Sequence, residues 1–306
     1  MLVELKGDIL MRIFVTGATG FIGSALVPEL IQAGHQVLGL TRSESGAQAL
    51  RKARAEALHG NLEDLDSLRK GAADSEGVIH LAFNHDFSKL EQNAADEREA
   101  IGAIGEVLVG SKRPFIVTSG TAMAANVDGK PSAEDSPISS WNPRAGLEAV
   151  VTEFTDRGVT TSIVRLPQVH DTRKQGLVPY LLAATRRNGV SGYIGDGSNR
   201  WPAAHVSDVA LLYRLAFEKA EPGAIYHAVH EEGVPMKAIA EAHGRGLKVP
   251  VVSIKPEDAE AHFGWLARFA KADVPSSSVI TRQKLKWHPT GPGLIADLDK
   301  MDYSQV

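Results

Sequence analysis

The chain has 306 residues, 43% hydrophobic and 23% charged, with a formal net charge of -4. That is enough apolar material for a large core, and the mildly acidic balance recommends neither nucleic acid nor an anionic membrane as a partner. Zero cysteines exclude disulfides, thiolate metal sites and a cysteine nucleophile. No apolar run approaches the roughly 20 residues of a membrane span. The opening MLVELKGDILMRIFV lacks the basic region, long apolar core and cleavage site of a secretion signal, so the cytoplasm is the expected location.

The first element is a buried strand, Arg12 to Thr16, short, β-branched and aromatic. Gly17, Gly20 and Gly23 follow at G-x-x-G-x-x-G spacing, ahead of a helix whose apolar stripe runs through Ile22, Leu26, Leu30 and Ile31. Gly17 permits the tight turn off the strand, Gly20 lets backbone N–H groups approach a pyrophosphate, and Gly23 lets helix and strand pack closely. The helix N-terminus adds partial positive charge. Thr19, Phe21 and Ile22 complete this candidate phosphate loop. A plain strand-loop-helix turn is the alternative, and a second strand beyond Gly34 favours the dinucleotide. Pro28 lies too deep for the first helical turn and predicts a bend or a lost hydrogen bond.

The second strand, HQVLGLTR, ends on Leu40-Thr41-Arg42-Ser43. An acidic residue there would bond the ribose 2′-hydroxyl of NAD. Arg42 can instead pair bidentately with a 2′-phosphate and Ser43 can add a hydroxyl, so the expected cofactor is NADP rather than NAD. A solvated surface arginine is the alternative.

Strand-helix alternation continues. Leu65 to Lys70 and Ala94 to Gly110 read as helical; GVIHLAF (Gly77 to Phe83), PFIVTSG (Pro114 to Gly120) and VTTSIVRLPQV (Val159 to Val169) read as strands. The expected fold is α/β: a doubly wound parallel sheet of Rossmann type, with a smaller C-terminal substrate-binding domain and ligands above the strand C-termini. The boundaries are 11–169 for the cofactor domain, 203–230 returning to it, and 170–202 with 231–300 for the substrate portion. Val178 to Arg186 is amphipathic, SDVALLYRLAFEKA is a helix with Ser207 as its cap, and AIYHAVHEEGVPMKAIAEAHGRGL reads as strand, turn and helix.

These ordered motifs resemble the short-chain dehydrogenase/reductases, in particular the extended-like branch that includes nucleotide-sugar epimerases and 3β-hydroxysteroid dehydrogenases. TGATGFIG (Thr16 to Gly23) is similar to that branch's phosphate loop. GNLED places Asn61 and Leu62 beside the adenine, HLAF places Leu81, Ala82 and Phe83 after the fourth strand, and RLPQVHD places Pro167 beside the nicotinamide. VTSGT carries the family serine as Ser119, and RWPAAHVSDVA matches the opening of the late helix. What the resemblance implies is an oxidoreductase with a small carbonyl or alcohol substrate; the sequence leaves the oligomeric state open, a homodimer being one alternative.

The family chemistry rests on a Tyr-x-x-x-Lys pair, in which the hydroxyl moves a proton and the lysine lowers its pKa and holds the ribose. The expected segment, SSWNPRAGLEAVVTEF (Ser139 to Phe154), contains neither residue type. Matching Glu148 to the glutamate that often follows the lysine puts Arg144 at the lysine position and Ser140 at the tyrosine position, which marks an atypical subgroup. Arginine stays protonated and is a poor proton shuttle. The remaining candidates are Ser119, as an orienter of a substrate oxygen, and His85, beside Asp86 on the ligand side of the sheet. His170, Tyr180 and Tyr193 are further acid–base candidates, and Arg186, Arg187 and Arg200 candidate anion contacts. No His/Asp/Glu spacing resembles a metal site, and TSGT lacks the glycine flanks of a hydrolase elbow. A non-catalytic NADP sensor and an NAD-dependent epimerase or dehydratase remain the alternatives to a reductase.

Overall fold

The computed structural model describes residues 10–86, 89–125, 129–139 and 143–305. Twelve strands are assigned among them: β1 (Arg12–Thr16), β2 (Gln36–Thr41), β3 (Glu56–His59), β4 (Gly77–His80), β5 (Pro114–Gly120), β6 (Thr160–Leu166), β7 (Gln168–His170), β8 (Ser191–Ile194), β9 (Arg200–His205), β10 (Ala224–His227), β11 (Glu231–Pro235) and β12 (Val251–Ile254). The main helices are α1 (Phe21–Gln32), α2 (Glu44–Lys52), α3 (Leu65–Ala73), α4 (Leu90–Leu108), α5 (Leu147–Asp156), α6 (Val178–Asn188), α7 (Val206–Lys219) and α8 (Met236–Leu247). Four short ones follow: α9 (Ala259–Phe263), α10 (Ala267–Ala270), α11 (Val279–Leu285) and α12 (Leu294–Lys300).

Seven strands form one sheet in the order β10-β6-β5-β4-β1-β2-β3. The pairs from β3 through β5 are parallel, with Thr16 level with His80 and Arg12 level with Gln36. Connections from β1 run to β2 on one side and later reach β4 on the other. The strand order therefore reverses beside β1, and the crevice that opens at such a reversal lies beyond the strand C-termini. β1 and β4 are buried nearly throughout, as a sheet covered on both faces requires. This is the doubly wound α/β fold expected from the sequence.

The chain divides into two compact units. The first comprises residues up to Thr118, Pro143–Ile163 and Tyr213–Ala224; the second comprises Ser119–Asn142, Val164–Leu212 and Ile225–Val306. Beside the sequence boundaries at 169 and 203–230, the second unit thus also takes in the ends of β5 and β6. It holds the three-stranded sheet β11-β9-β7 and the pair β12-β8, packed with α6, α8 and α12 around Trp201, Ile239, Phe263 and Leu298.

Several boundaries differ from the sequence reading for local reasons. Helix α1 runs through Pro28, and it buries Gly23, Leu26, Val27 and Leu30, with Ile22 and Ile31 only half-buried. β4 stops at His80 rather than Phe83. Pro167 splits the long strand into β6 and β7, since it has no N–H for the ladder. Ser207 is not a cap: α7 starts one residue earlier, and the Ser207 hydroxyl lies 2.7 Å from His205 Nδ1. β3 escaped notice because an edge strand reading EALH, with both ends polar and exposed, has no apolar run.

Gly71 in α3 shows how closely the first unit is packed. A Cβ there would overlap the ring of Phe14, which is fully buried in β1. Gly71→Ala is expected to cost about 1–3 kcal/mol by overpacking. Urea unfolding is the measurement, and an unchanged midpoint would show that this contact yields freely.

Candidate active site

The phosphate-loop candidate sits at the strand reversal. Gly17 has φ +67°, and a Cβ on it would come within 2.9 Å of the Ala82 amide nitrogen. Gly23 is barred more firmly, since its Cβ would strike the Gly17 carbonyl oxygen and the Ala18 backbone. The Gly20 amide donates to the Gly17 carbonyl at 2.9 Å, and Ser24 N–H donates to Gly20 O at 2.9 Å, closing the first turn of α1. No side chain caps this N-terminus and no acidic residue lies in its first turn. Its orphan N–H groups and the positive end of the helix dipole therefore suit an anion. Thr19 and Gly20 are exposed, and Phe21 and Ile22 half-buried.

At the end of β2, Arg42 is exposed and makes no ion pair or side-chain hydrogen bond among the described residues. Ser43 caps α2: its Oγ accepts from Gly46 N–H at 3.1 Å and lies 3.0 Å from Ser45 Oγ. The nearby carboxylate of Glu44 is engaged by Arg51 and His59. Asn61 is exposed, and its Oδ1 accepts from the amides of Glu63 and Asp64 at 2.7 and 3.0 Å, so the oxygen end shapes its own turn. Leu62 beside it is half-buried.

The strand end opposite the loop is held by a small polar zipper. Thr16 Oγ1 lies 3.0 Å from His80 Nδ1 and accepts from Ala82 N–H at 3.2 Å; Leu81 N–H donates to Thr16 O at 3.3 Å. Burial, and secondarily the charge of Arg144, pushes His80 down to about 4, so its imidazole is neutral at physiological pH. Thr118 Oγ1 donates to His80 O at 2.7 Å and lies 2.8 Å from the buried Tyr213 hydroxyl. Burial raises that phenol well above its ordinary value, which leaves it a hydrogen-bonding group only.

Arg144 lies in a 3-10 turn, Pro143–Gly146, ahead of α5. Its Nε and Nη2 donate to the two carboxylate oxygens of Glu97 at 2.8 and 2.5 Å, and Nη2 reaches Thr118 O at 3.4 Å. Its guanidinium carbon stands 4.1 Å from the centre of the Phe83 ring. The other side of that loop carries His85, edge-on to Phe83 with centroids 5.3 Å apart. His85 is exposed as a residue, yet its pKa falls below the ordinary value, first through loss of water around the ring and then through the Arg144 charge. Leu81, Ala82 and Phe83 are half-buried. Loop, Glu97, Arg144, Phe83 and His85 thus belong to one unit and to one end of the sheet.

The remaining candidates fall elsewhere. Ser119 is buried and Pro167 half-buried, both in the second unit. Ser140 lies outside the described residues. His170 is fully buried, with Nδ1 2.7 Å from Asp297 Oδ2 of α12. Tyr180 meets Trp265 edge-on at 5.1 Å, and Lys237 stands 5.7 Å from the Tyr193 ring. Arg186 and Arg187 donate to the carbonyls of Tyr303 and His262, and Arg200 pairs with Asp273 at 2.8 Å. The sequence reading missed Glu97 and Thr118. Glu97 had a signal: it falls at helical spacing between Ala94, Ile101 and Ile104, on the face that α4 buries.

A parallel sheet reversing beside a glycine-lined, uncapped helix start defines a dinucleotide-fold protein. The chain belongs to the NAD dependent epimerase/dehydratase family, whose model matches residues 13–229. It is 48% identical over 290 residues to an uncharacterised protein of Schizosaccharomyces pombe, covering 94% of this chain and 98% of the relative. It is 29% identical over 246 residues to a 2-alkyl-3-oxoalkanoate reductase of Stenotrophomonas maltophilia, covering 75% and 73%. Among solved structures, a dTDP-glucose 4,6-dehydratase from Streptomyces venezuelae with NAD and TYD bound matches 95% of this chain and 96% of its own, at TM-score 0.77 and 17% identity. No helix among the described residues is long and apolar enough to cross a membrane.

The buried histidines give the fold a pH signature. His80 and His243 are pushed down to about 4 and His227 to about 3, by burial in each case. A lowered folded pKa means that the unfolded chain takes protons first as pH falls. Stability is therefore fully present above about 6.5 and is lost from there down to about 4 for His80 and His243 and about 3 for His227, by roughly 1.4 kcal/mol per pH unit per fully coupled group. His80→Asn should flatten part of that slope in urea titrations run at several pH values, and an unaltered slope would mean that His80 does not contribute.

Proposed function

We propose that this protein is an NADP-dependent oxidoreductase that transfers hydride between the nicotinamide and a small carbonyl or alcohol compound. The observation that carries the reading is the loop from Thr16 to Gly23, turned onto an uncapped helix start with no room for a Cβ at Gly17 or Gly23. Gly17, Thr19, Gly20, Phe21, Ile22 and Gly23 hold the pyrophosphate through backbone N–H groups. Arg42, with Ser43, takes the 2′-phosphate that selects NADP over NAD; Asn61 and Leu62 flank the adenine, and Leu81, Ala82, Phe83 and Pro167 line the path to the nicotinamide. The bound cofactor supplies or accepts the hydride.

In this reading Ser119 orients the substrate oxygen and Arg144 holds the ribose. His85 gives the proton to a reduced carbonyl oxygen and takes it back in the oxidation direction. The reductase choice is supported by the 2-alkyl-3-oxoalkanoate reductase among the relatives. A sensor that binds NADP without turnover is the second reading. What favours it is the segment Ser139 to Phe154, without tyrosine or lysine, in which Arg144 is tied to a carboxylate.

The deciding experiment confirms NADPH binding by fluorescence, then follows its consumption with a carbonyl panel; binding without turnover selects the sensor. Arg42→Ala should weaken NADP far more than NAD, by about 1.5–3 kcal/mol for a lost charged hydrogen bond, and equal weakening removes the 2′-phosphate assignment. Because the His85 pKa is lowered, carbonyl reduction should quicken, and alcohol oxidation slow, only as pH falls below the ordinary histidine value near 6.5. His85→Gln should abolish that dependence, and a variant with the wild-type profile would exclude the imidazole as proton carrier.

A further inference from the structure

A buried carboxylate in the middle of a helix needs a reason. Glu97 is 1% exposed on α4, on a face otherwise lined by Ala94, Ile101 and Ile104, and burial is the largest influence on it, raising its pKa against the pull of Arg144. Its partner is less enclosed: the Arg144 side chain is 16% exposed. A buried ion pair is weak evidence of stabilisation, since taking both charges out of water costs about what their attraction returns. Geometry, by contrast, is what this pair controls. Two parallel N–H···O bonds fix the plane of the guanidinium, Phe83 supports its face at 4.1 Å, and the Thr118 carbonyl accepts from Nη2 at 3.4 Å.

One turn earlier on the same helix, Asn93 is also buried, and its Nδ2 donates to the carbonyls of Asn84 and Asp86 at 3.1 and 2.7 Å. Residues four apart share a helix face. Helix α4 thus carries two polar groups side by side that serve the loop at the end of β4: Asn93 pins 84–86, and Glu97 sets Arg144 over Phe83.

We propose that Glu97 is a positioning residue of the cofactor site, holding Arg144 over Phe83 as a fixed, permanently charged anchor for the hydroxyls of the nicotinamide ribose. The inference rests on the cofactor reading given above. Arginine cannot be deprotonated in the working range, and its planar fork accepts one orientation where a lysine swings. The fork therefore offers one fixed geometry, and Glu97 acts on cofactor affinity through Arg144 rather than on any reacting atom.

The test measures NADPH dissociation constants by fluorescence beside thermal midpoints without cofactor. Glu97→Gln keeps the shape and removes the charge; it should weaken NADPH at least tenfold, with turnover at saturating cofactor within about threefold of wild type. The paired replacement Glu97→Leu with Arg144→Met removes both charges and leaves none stranded, which keeps the test open should Glu97→Gln fail to fold, and it should weaken NADPH by the same factor as Arg144→Met alone. Arg144→Lys should bring in a loss of affinity as pH rises towards 10, where wild type stays level. A lowered midpoint with NADPH affinity within twofold of wild type, in either folded Glu97 variant, would mark a purely structural pair and overturn the proposal. Failure of the unmodified protein to bind NADPH at all would instead overturn the cofactor reading on which it stands.

Discussion

The arrangement depends on how closely the first loop lies against the end of the fourth strand. Gly17 can take its left-handed turn only because nothing projects towards Ala82, whose amide nitrogen would lie 2.9 Å from a Cβ there. The same approach is locked from the other side by Thr16, which engages His80 and the Ala82 amide through one hydroxyl. Glycine makes the contact sterically allowed, and threonine makes it directional. With these fixed, the start of α1 faces outward from the sheet end without a side-chain cap, and Phe83 is delivered to the position where Arg144 covers it.

The polar groups behind this loop follow one logic. Most are paired with one another, and His80, whose buried Nε2 has no hydrogen-bond partner, is held neutral. His80 is neutral because burial disfavours its charge. Thr118 bridges a carbonyl and a phenol, and Glu97 meets Arg144 with both oxygens. The exception lies at the rim, where Arg42 is exposed beyond β2. A charge that the fold does not use is available to a ligand, which is why the 2′-phosphate reading attaches there and not to Arg200, already matched by Asp273.

What was legible in the sequence is what sequence neighbours decide. The β1 strand, the glycine spacing and the following helix are local chemistry, and β1, β2 and β5 end close to where their residues alone place them. The edge strand β3 was hidden because it is too polar to look like one. His170 looked like a site residue from its motif; in the fold its ring is enclosed and taken by Asp297, 127 positions later, a pairing no local pattern announces. Glu97 was half legible, since a carboxylate on an apolar helical face announces a buried partner without naming it. That the partner is Arg144 depends on where the turn before α5 lands, a tertiary fact. Ser140 lies outside the described residues and keeps the standing that sequence alone can give it.

In the cofactor reading proposed above, an arginine anchor in place of a lysine separates two duties that one side chain otherwise performs. A lysine next to a phenol holds the ribose and also depresses the phenol's pKa, so binding and proton movement share one charge. The Arg144 guanidinium is clamped by both oxygens of Glu97, and that carboxylate offsets most of the field it would exert on a distant hydroxyl. Its electrostatic influence falls instead on near neighbours: the His80 and His85 pKa values are lowered first by burial and then by its charge. His80 is sealed in the sheet, while His85 is exposed. Arg144 thus adds to the lowering that loss of water already imposes on the His85 imidazole.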